Sequence, residues 1–246
     1  MNIHNFKLKH IEAVQSEQID YVRLLVEVMG YKNTWFNRHF GINREIKKVA
    51  LIVREVQNMK PEELVYDTTC KIRYEGVDDI PFIARIELDN LQQKKESENI
   101  LSLMSNIISI VTYSLNVGRD FDIDSDSFKT YRAKIENTSA IQMIGLYNTI
   151  IIDQESSNKL WDERFRAVEV TDEDYDMAGG RRMNQFNIIN TVKSICNDFN
   201  ITYEEAWQMP YVVVQSNGYA KATYAHIEYT MTQLKEQKMK TKRQFK

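Results

Sequence analysis

The stretch Ile100-Leu-Ser-Leu-Met-Ser-Asn-Ile-Ile-Ser-Ile-Val-Thr-Tyr-Ser-Leu-Asn-Val-Gly118 decides the fold class of this 246-residue chain. Its apolar residues recur at three- and four-residue intervals, which places them on one face of an α-helix. They are Ile100, Leu101, Met104, Ile107, Ile108, Val111 and Leu115. Gly118 is a typical helix stop, because glycine readily adopts the left-handed conformation that closes a helix. The stretch therefore predicts a long helix that starts near Asp89, ends about Gly118 and buries one face in a mainly α fold.

Further helices are predicted on both sides of this stretch from the same periodicity. Their ranges are 10–29, 44–58, 127–136, 139–152, a segment around Trp161 to Val168, 184–199 and 219–238. Capping boxes, in which two residues satisfy each other's backbone N–H groups, open two helices, at Ser139 with Gln142 and at Thr202 with Glu205. Pro210 is expected to kink or divide the helix that follows.

The apolar stripe of helix 184–199 is expected to face inward, whereas two explanations stay open for the apolar side chains of the final helices, core packing and a subunit interface. The stripe of helix 184–199 consists of Ile189, Val192, Cys196 and Phe199. The stripe of helix 219–238 consists of Tyr224, Ile227, Met231 and Leu234.

Residues 68–88 carry a different pattern, in which apolar and polar side chains alternate. The first run places Cys70, Ile72 and Tyr74 between Lys71, Arg73 and Glu75, and the second contains Phe82, Ala84, Ile86 and Leu88. Alternation with a period of two is typical of a strand with one buried face. We interpret the two runs as a small β-hairpin, or part of a small sheet, added to a helical bundle, which makes the fold α+β.

Composition and charge bound the class of protein. The chain has 8 Gly and 3 Pro, too few for long linkers or for a turn-rich all-β fold. Its formal net charge of −3 provides no global attraction to nucleic acid or to an anionic membrane. No apolar run reaches the about 18 residues of a membrane helix, and no signal peptide pattern is seen, so we expect a cytoplasmic protein without membrane contact. Cys70 and Cys196 are expected to be buried thiols.

Three regions are predicted along the chain. Residues 1–168 form a helical domain that contains the hairpin near 68–88. Residues 169–183 form a hinge that is first acidic and then contains Gly179-Gly180 and Arg181-Arg182. Residues 184–246 form a C-terminal helical subdomain, which ends in a basic tail from Lys235 to Lys246.

Patterns that would indicate catalysis or a cofactor are weak in this chain. None of the histidines (His4, His10, His39 and His226) has the spacing of a zinc site. Asp120, Asp122, Asp124 and Asp126 alternate as in a calcium loop, but Ser125 and Tyr131 occupy the positions where glycine and glutamate are needed. We therefore expect no metal, no cofactor and no catalytic residue. An enzyme with an unfamiliar site would need a deep pocket lined by ionisable groups.

Two sets of binding candidates remain. Tyr, Trp and Met are enriched at protein interfaces, and the candidates for protein contact are Trp207, Met209, Tyr211, Tyr219 and Tyr224. The candidates for contact with an anion or nucleic acid are Arg181, Arg182, Lys240, Lys242 and Arg243. Core packing is the competing explanation for the first set. Ion pairing in the hinge and an ordinary solvated tail are the competing explanations for the second.

The segment Thr202-Tyr-Glu-Glu-Ala-Trp-Gln-Met-Pro-Tyr211 resembles the C-terminal portions of small tailed-bacteriophage assembly proteins. These include tail assembly chaperones and accessory proteins of the neck or tail. Three upstream segments are also similar: Asn99-Ile-Leu-Ser-Leu-Met-Ser-Asn-Ile-Ile108, Phe128-Lys-Thr-Tyr-Arg132 and Trp161-Asp-Glu-Arg-Phe165.

The resemblance implies a non-enzymatic structural or assembly protein of a phage particle. Such a protein would bind other phage structural proteins as a homo- or hetero-oligomer. It would work in the host cytoplasm during assembly, with retention in the virion left open. The alternative is a nucleic-acid-associated packaging or cargo protein that uses the basic C-terminal tail.

Overall fold

The computed structural model describes residues 70–93, 100–169 and 186–244, together with residues 7, 50, 53, 54 and 64. For residues 92, 93, 100, 101 and 241–244 the description covers the backbone only. Helices account for 78% of the interpretable residues, which confirms the mainly α class. They are α1 (Phe82–Gln93), α2 (Ile100–Val117), α3 (Asp126–Glu136), α4 (Ala140–Ala167), α5 (Asn187–Phe199), α6 (Tyr203–Trp207) and α7 (Tyr211–Gln244).

Two predicted helices near the N-terminus and the predicted hinge lie largely outside the described residues. The helix at 10–29 and the hinge at 169–183 lie outside the described residues, apart from Glu169. Of the helix at 44–58 the structure describes residues 50, 53 and 54, which are helical, and Val53 is buried.

Helix α2 confirms the stretch from which the fold class was predicted. Met104, Ile107, Ile108 and Val111 are buried, as the periodicity predicts. Ser105, Ser109 and Thr112 on the other side of the helix are buried as well, so α2 is buried nearly all round and not on one face only. Gly118 follows the helix with a positive φ of 69°, and its N–H donates to the carbonyl of Ser114 at 2.9 Å. The helix thus ends where a left-handed residue closes its last turn.

Helix α4 joins the predicted helix 139–152 to the predicted helical segment around Trp161 to Val168. The intervening residues 153–160 are largely polar but contain neither glycine nor proline, so no local signal ends the helix. The predicted capping box at Ser139 is not formed, because the buried Ser139 hydroxyl has no hydrogen-bond partner among the described residues. The box at Thr202 and Glu205 is complete, and Pro210 separates α6 from α7 as predicted.

The predicted β-hairpin is wrong for the described residues, which contain no strand. Its second run belongs to α1, directly after Pro81. Ala84 and Leu88 are both buried, and their spacing of four satisfies a helix as well as a strand. Arg85, which a strand would turn outward, is completely buried. Proline just ahead of the run was the signal that favoured a helix start.

The first run of the predicted hairpin is irregular, and a side chain takes the place of a partner strand. The Asn116 amide accepts from the N–H of Arg73 and donates to its carbonyl, both at 2.9 Å. Nearby, the Tyr74 hydroxyl donates to Asp153 at 2.5 Å. The bonds to Asn116 satisfy the N–H and C=O groups of Arg73 without a partner strand, so the alternating pattern did not require a sheet.

The chain divides into two compact units. Unit 1 comprises Met1–Gly76 and Ala84–Asp153, and unit 2 comprises Val77–Ile83 and Gln154–Lys246. The division falls within α1 and within α4, while the predicted hinge stays a prediction.

The core of unit 1 combines aliphatic residues with a cluster of aromatic rings. The aliphatic residues include Ile107, Ile108, Ile135, Met143, Leu146 and Ile150. Tyr113 meets the rings of Phe121, Phe128 and Tyr131 edge-on, with centroids 5.4–6.3 Å apart. Edge-to-face geometry places positive ring edges against negative ring faces, which stabilises the contact between α2 and α3.

Unit 2 is organised around the short segment 77–83. The first N–H groups of α7 have no partner within their own helix, and two carbonyls of this segment accept from them. Tyr211 N donates to Ile80 O at 2.9 Å, and Val212 N donates to Asp78 O at 2.8 Å. In return Phe82 N donates to the carbonyl of Met209 at 2.8 Å. The starts of α1 and α7 are thereby joined inside unit 2.

Candidate interaction surface

Large exposed apolar side chains in the described residues gather in the C-terminal part of unit 2. The set comprises Phe186, Ile188, Ile189, Phe199, Tyr203, Tyr224, Ile227, Tyr229, Met231, Leu234 and Met239, against Ile152 and Leu160 before it. Single exposed apolar residues are ordinary on protein surfaces. A concentration of them along two helices is more informative, because extended apolar patches often mark binding surfaces.

The α7 stripe, defined as Tyr224, Ile227, Met231 and Leu234, is exposed and faces no core among the described residues. Tyr224 is 71% exposed, and the other three are about half exposed. The packed side of α7 is shown by Gly218, where an added Cβ would lie 3.5 Å from the ring of Phe165. At about 100° per residue, Ile227 lies half a turn around the helix from Gly218. The stripe is therefore on the side of α7 that turns away from α4.

The C-terminal part of α7 is exposed on all sides. Every residue from 227 to 240 is exposed, including the apolar members of the stripe. In most protein helices, stability comes chiefly from packing an apolar face. This part of α7 has such a face, and no described part of the chain buries it.

Helix α5 is oriented differently from its prediction. Val192 is buried as expected, but its companion in the core is Ile195, whereas Ile189 and Phe199 are exposed and Cys196 is half-buried. Spacings of three and four define more than one possible face on a short helix. Packing against α7 selects the face with Val192 and Ile195, which leaves Ile188 and Ile189 outside.

The predicted protein-contact residues have mainly intramolecular roles. Phe82 stacks on Trp207 with ring centroids 5.7 Å apart, and on Tyr211 at 6.5 Å. Tyr211 is only 9% exposed, so its ring belongs to the core of unit 2. Met209 supplies the carbonyl that accepts from Phe82 N.

The two remaining contact candidates differ from each other. Tyr219 is half-buried and meets Phe165 edge-on at 6.0 Å, so part of its ring is used within unit 2. Tyr224 is the most open of the five candidates and is the first member of the α7 stripe. A role in binding partners stays a prediction for all five.

An ion pair that is absent from the sequence predictions links α5 to α7. Lys221 Nζ lies 2.5 Å from Asp198 Oδ2, and Asn217 donates to the same oxygen at 2.7 Å. The hydrogen bonds from Lys221 and Asn217 hold the pKa of Asp198 below its usual range. The two charges are 23 positions apart in the chain (221 − 198), so no local spacing rule could pair them.

The predicted anion-binding residues can be placed only in part. Arg181 and Arg182 lie outside the described residues. Lys240 is exposed on α7, while Lys242 and Arg243 lie in the last turn of that helix. Of these two groups, the structure therefore describes only the basic residues at the end of α7.

The acidic loop, a buried tyrosine and the two cysteines are the described groups that could take part in metal binding or catalysis. In the Asp-rich loop, Asp122 Oδ1 accepts from Asp124 N at 3.0 Å, and the Ser125 hydroxyl caps α3. The described residues contain no group of three or more metal-ligating side chains. Burial raises the pKa of Tyr131 to about 12. Cys70 is buried, as predicted, and Cys196 is half-buried, and neither forms a disulfide.

Comparison with known protein families, with characterised proteins and with solved structures gives no match for this chain. In the part of the chain that the structure describes, no helix is long and apolar enough to cross a membrane.

Proposed function

We propose that this chain is a non-enzymatic structural or assembly protein of a tailed bacteriophage particle, and that it acts by binding other proteins. The observation that carries the proposal is the exposed α7 stripe. A role in phage assembly is supported by a sequence resemblance. Residues 202–211 and three upstream segments resemble phage tail and neck assembly proteins. Such a protein works in the host cytoplasm while particles are built.

The energetics of the stripe support a binding role. Burying a leucine, isoleucine or methionine side chain contributes about 1.5–3 kcal/mol. The stripe has three such residues and a tyrosine, so a partner that covered them would gain several kcal/mol. Association costs about 4–15 kcal/mol in lost translational and rotational freedom. The stripe therefore needs further contacts for tight binding, and the exposed face of α5 with Ile188 and Ile189 offers them.

The proposal is tested by measuring association of the full chain. We expect light scattering of the purified protein, alone and mixed with proteins from neighbouring genes, to give masses above that of the 29.0 kDa monomer. A large closed ring would favour a neck or tail component. A monomer that captures one long partner would favour a tail assembly chaperone.

The stripe itself is tested with one substitution and a control on another face of α7. Leu234→Asp should reduce association, because a carboxylate is costly to bury in an apolar contact. Gln233→Asp places the same charge one position away, on an exposed site outside the stripe, and should leave association unchanged. A chain that stays monomeric with every candidate partner would contradict the proposed function.

A nucleic-acid-associated role is the second candidate, and one observation favours it. Lys235, Lys238 and Lys240 are exposed near the C-terminal end of α7, where they could contact phosphate groups. This role predicts DNA binding that weakens with added salt and weakens again when residues 235–246 are deleted. Failure to bind DNA at low salt would remove this candidate.

A further inference from the structure

We propose that the α7 stripe is covered by α7 of a second copy of this chain, with the two helices antiparallel. The inference rests on the proposed function, which it deepens by naming the partner and the contacting surface. Its basis is the spacing of the stripe, the exposure of α7 and the charges beside the stripe.

The spacing of the stripe is that of a helix-pairing seam. Tyr224, Ile227, Met231 and Leu234 follow one another at intervals of three, four and three residues. This is the alternation of the two apolar positions in a heptad, through which paired helices interlock their side chains. The seam spans about two heptads, fewer than the three or four that are typical of a helix pair that is stable by itself. The pair therefore also needs contacts between other parts of the two chains.

An antiparallel pair superimposes all four apolar residues. Tyr224 then lies at the level of Leu234 of the second copy, and Ile227 lies at the level of Met231. Two-fold symmetry repeats both pairings, so four consecutive apolar layers form without a polar residue in the seam. The same four residues would also meet in a parallel pair, so the apolar residues alone do not set the direction.

The charges beside the seam select the antiparallel direction. Glu228 and Lys235 are exposed and lie on the same edge of the stripe, while Thr223 and Thr230 lie on the other edge. In a parallel pair, unlike edges meet, so each charge would face a threonine of the second copy. In an antiparallel pair, like edges meet, which brings Glu228 of each copy beside Lys235 of the other.

The direction in which helical side chains lean strengthens this pairing. Side chains in an α-helix tilt toward its N-terminus. In the antiparallel register Glu228 and Lys235 of the second copy tilt toward each other, so the long side chains can close the gap between them. A parallel pair would instead bring the basic C-terminal ends of both copies together, including Lys238 and Lys240.

Charge exchange in the full-length protein tests the inference. Sedimentation equilibrium of the wild type should give a species of about twice the 29.0 kDa monomer mass. Lys235→Glu and Glu228→Lys should each weaken dimerisation about tenfold, because two attractive pairs become repulsive. The double exchange should restore the wild-type affinity within about twofold, because the pairs are re-formed in reverse.

A matched control separates the pair from a general effect of charge. Lys240→Glu makes the same change of charge as Lys235→Glu, at an exposed site off the seam, and should leave the dimer intact. Circular dichroism confirms that each variant keeps its helices. Single exchanges without effect, or a double exchange that fails to rescue, would overturn the antiparallel pair and favour a parallel one.

The failure of this inference can be told apart from the failure of the proposed function. A chain that is monomeric alone but binds a protein from a neighbouring gene overturns self-pairing and leaves the proposed function intact. A chain that is monomeric alone and with every such partner overturns both.

Discussion

Tyr211 and Tyr224 lie on the same helix, and replacing each by alanine separates a core residue from a surface residue. Tyr211 is 9% exposed and stacks on Phe82, whereas Tyr224 is 71% exposed and belongs to the α7 stripe. The substitutions remove the same atoms from the same type of secondary structure. Any difference in stability therefore reports the surroundings of the two rings.

The expected loss for Tyr211→Ala follows from the area that its ring buries. A buried aromatic side chain covers about 150–250 Å², which at about 25 cal/mol per Å² amounts to roughly 4–6 kcal/mol. Residual compactness of the unfolded chain lowers this by about 10–40%. The result, about 3–5 kcal/mol, agrees with typical values for removing a buried ring. Measured at protein concentrations at which the chain is monomeric, Tyr224→Ala should change the free energy of unfolding by less than about 0.5 kcal/mol.

Urea unfolding followed by tryptophan fluorescence and circular dichroism measures both variants. With a urea dependence of about 1–3 kcal/mol per molar, Tyr211→Ala should lower the midpoint by at least about 1 M. Tyr211→Phe keeps the ring and should retain most of the stability. A Tyr211→Ala protein as stable as the wild type but deficient in association would refute the placement of this ring in the core. It would restore Tyr211 as a partner contact.

Three further predictions concern the cap, the glycines and the ion pair. Thr202→Ala should lower the free energy of unfolding, measured in urea, by about 1 kcal/mol, because it removes the α6 capping box. Ser139→Ala should lower it much less, because the Ser139 hydroxyl makes no hydrogen bond to a described residue. Gly218→Ala should stabilise by about 0.5–1 kcal/mol, because the new methyl group meets Phe165 at an ordinary contact distance in a helix. Gly118→Ala should destabilise the folded protein by about 1 kcal/mol, because φ at residue 118 is positive. Equal thermal midpoints for Gly218→Ala and Gly118→Ala would contradict both expectations. The lowered pKa of Asp198 stabilises the folded state at pH values above the ordinary aspartate pKa, and this contribution is lost as the pH falls through the folded-state pKa. Asp198→Asn should therefore flatten the acidic side of a plot of unfolding free energy against pH. An unchanged acidic side would contradict this expectation.

Local signals in the sequence were sufficient for several elements. The apolar stripe of α2 and the closing Gly118 predicted that helix and its end, whereas the predicted start near Asp89 lies in α1. The capping box at Thr202 and the break at Pro210 were also predicted correctly. Each of these signals is complete within a few residues of backbone, so it acts in the same way in almost any tertiary setting.

The hairpin prediction failed because the local pattern was ambiguous. Ala84 and Leu88 are four residues apart, a spacing that both an alternating strand and a helix allow. The backbone of Arg73 also finds its hydrogen bonds on the side chain of Asn116, which is 43 positions away. Only the packed structure supplies such a partner, so no pattern within residues 68–88 could reveal it.

The candidate surface was predicted as a set of apolar residues but not as a surface. Periodicity alone places Tyr224, Ile227, Met231 and Leu234 on one side of a helix, because it follows from helix geometry. Tertiary structure decided that this side is exposed and that Tyr211, on the same helix, is buried. Periodicity describes how side chains are arranged around one axis, whereas burial depends on which other elements pack against it. That choice depends on contacts between residues far apart in the chain, such as Gly218 with Phe165 and Lys221 with Asp198.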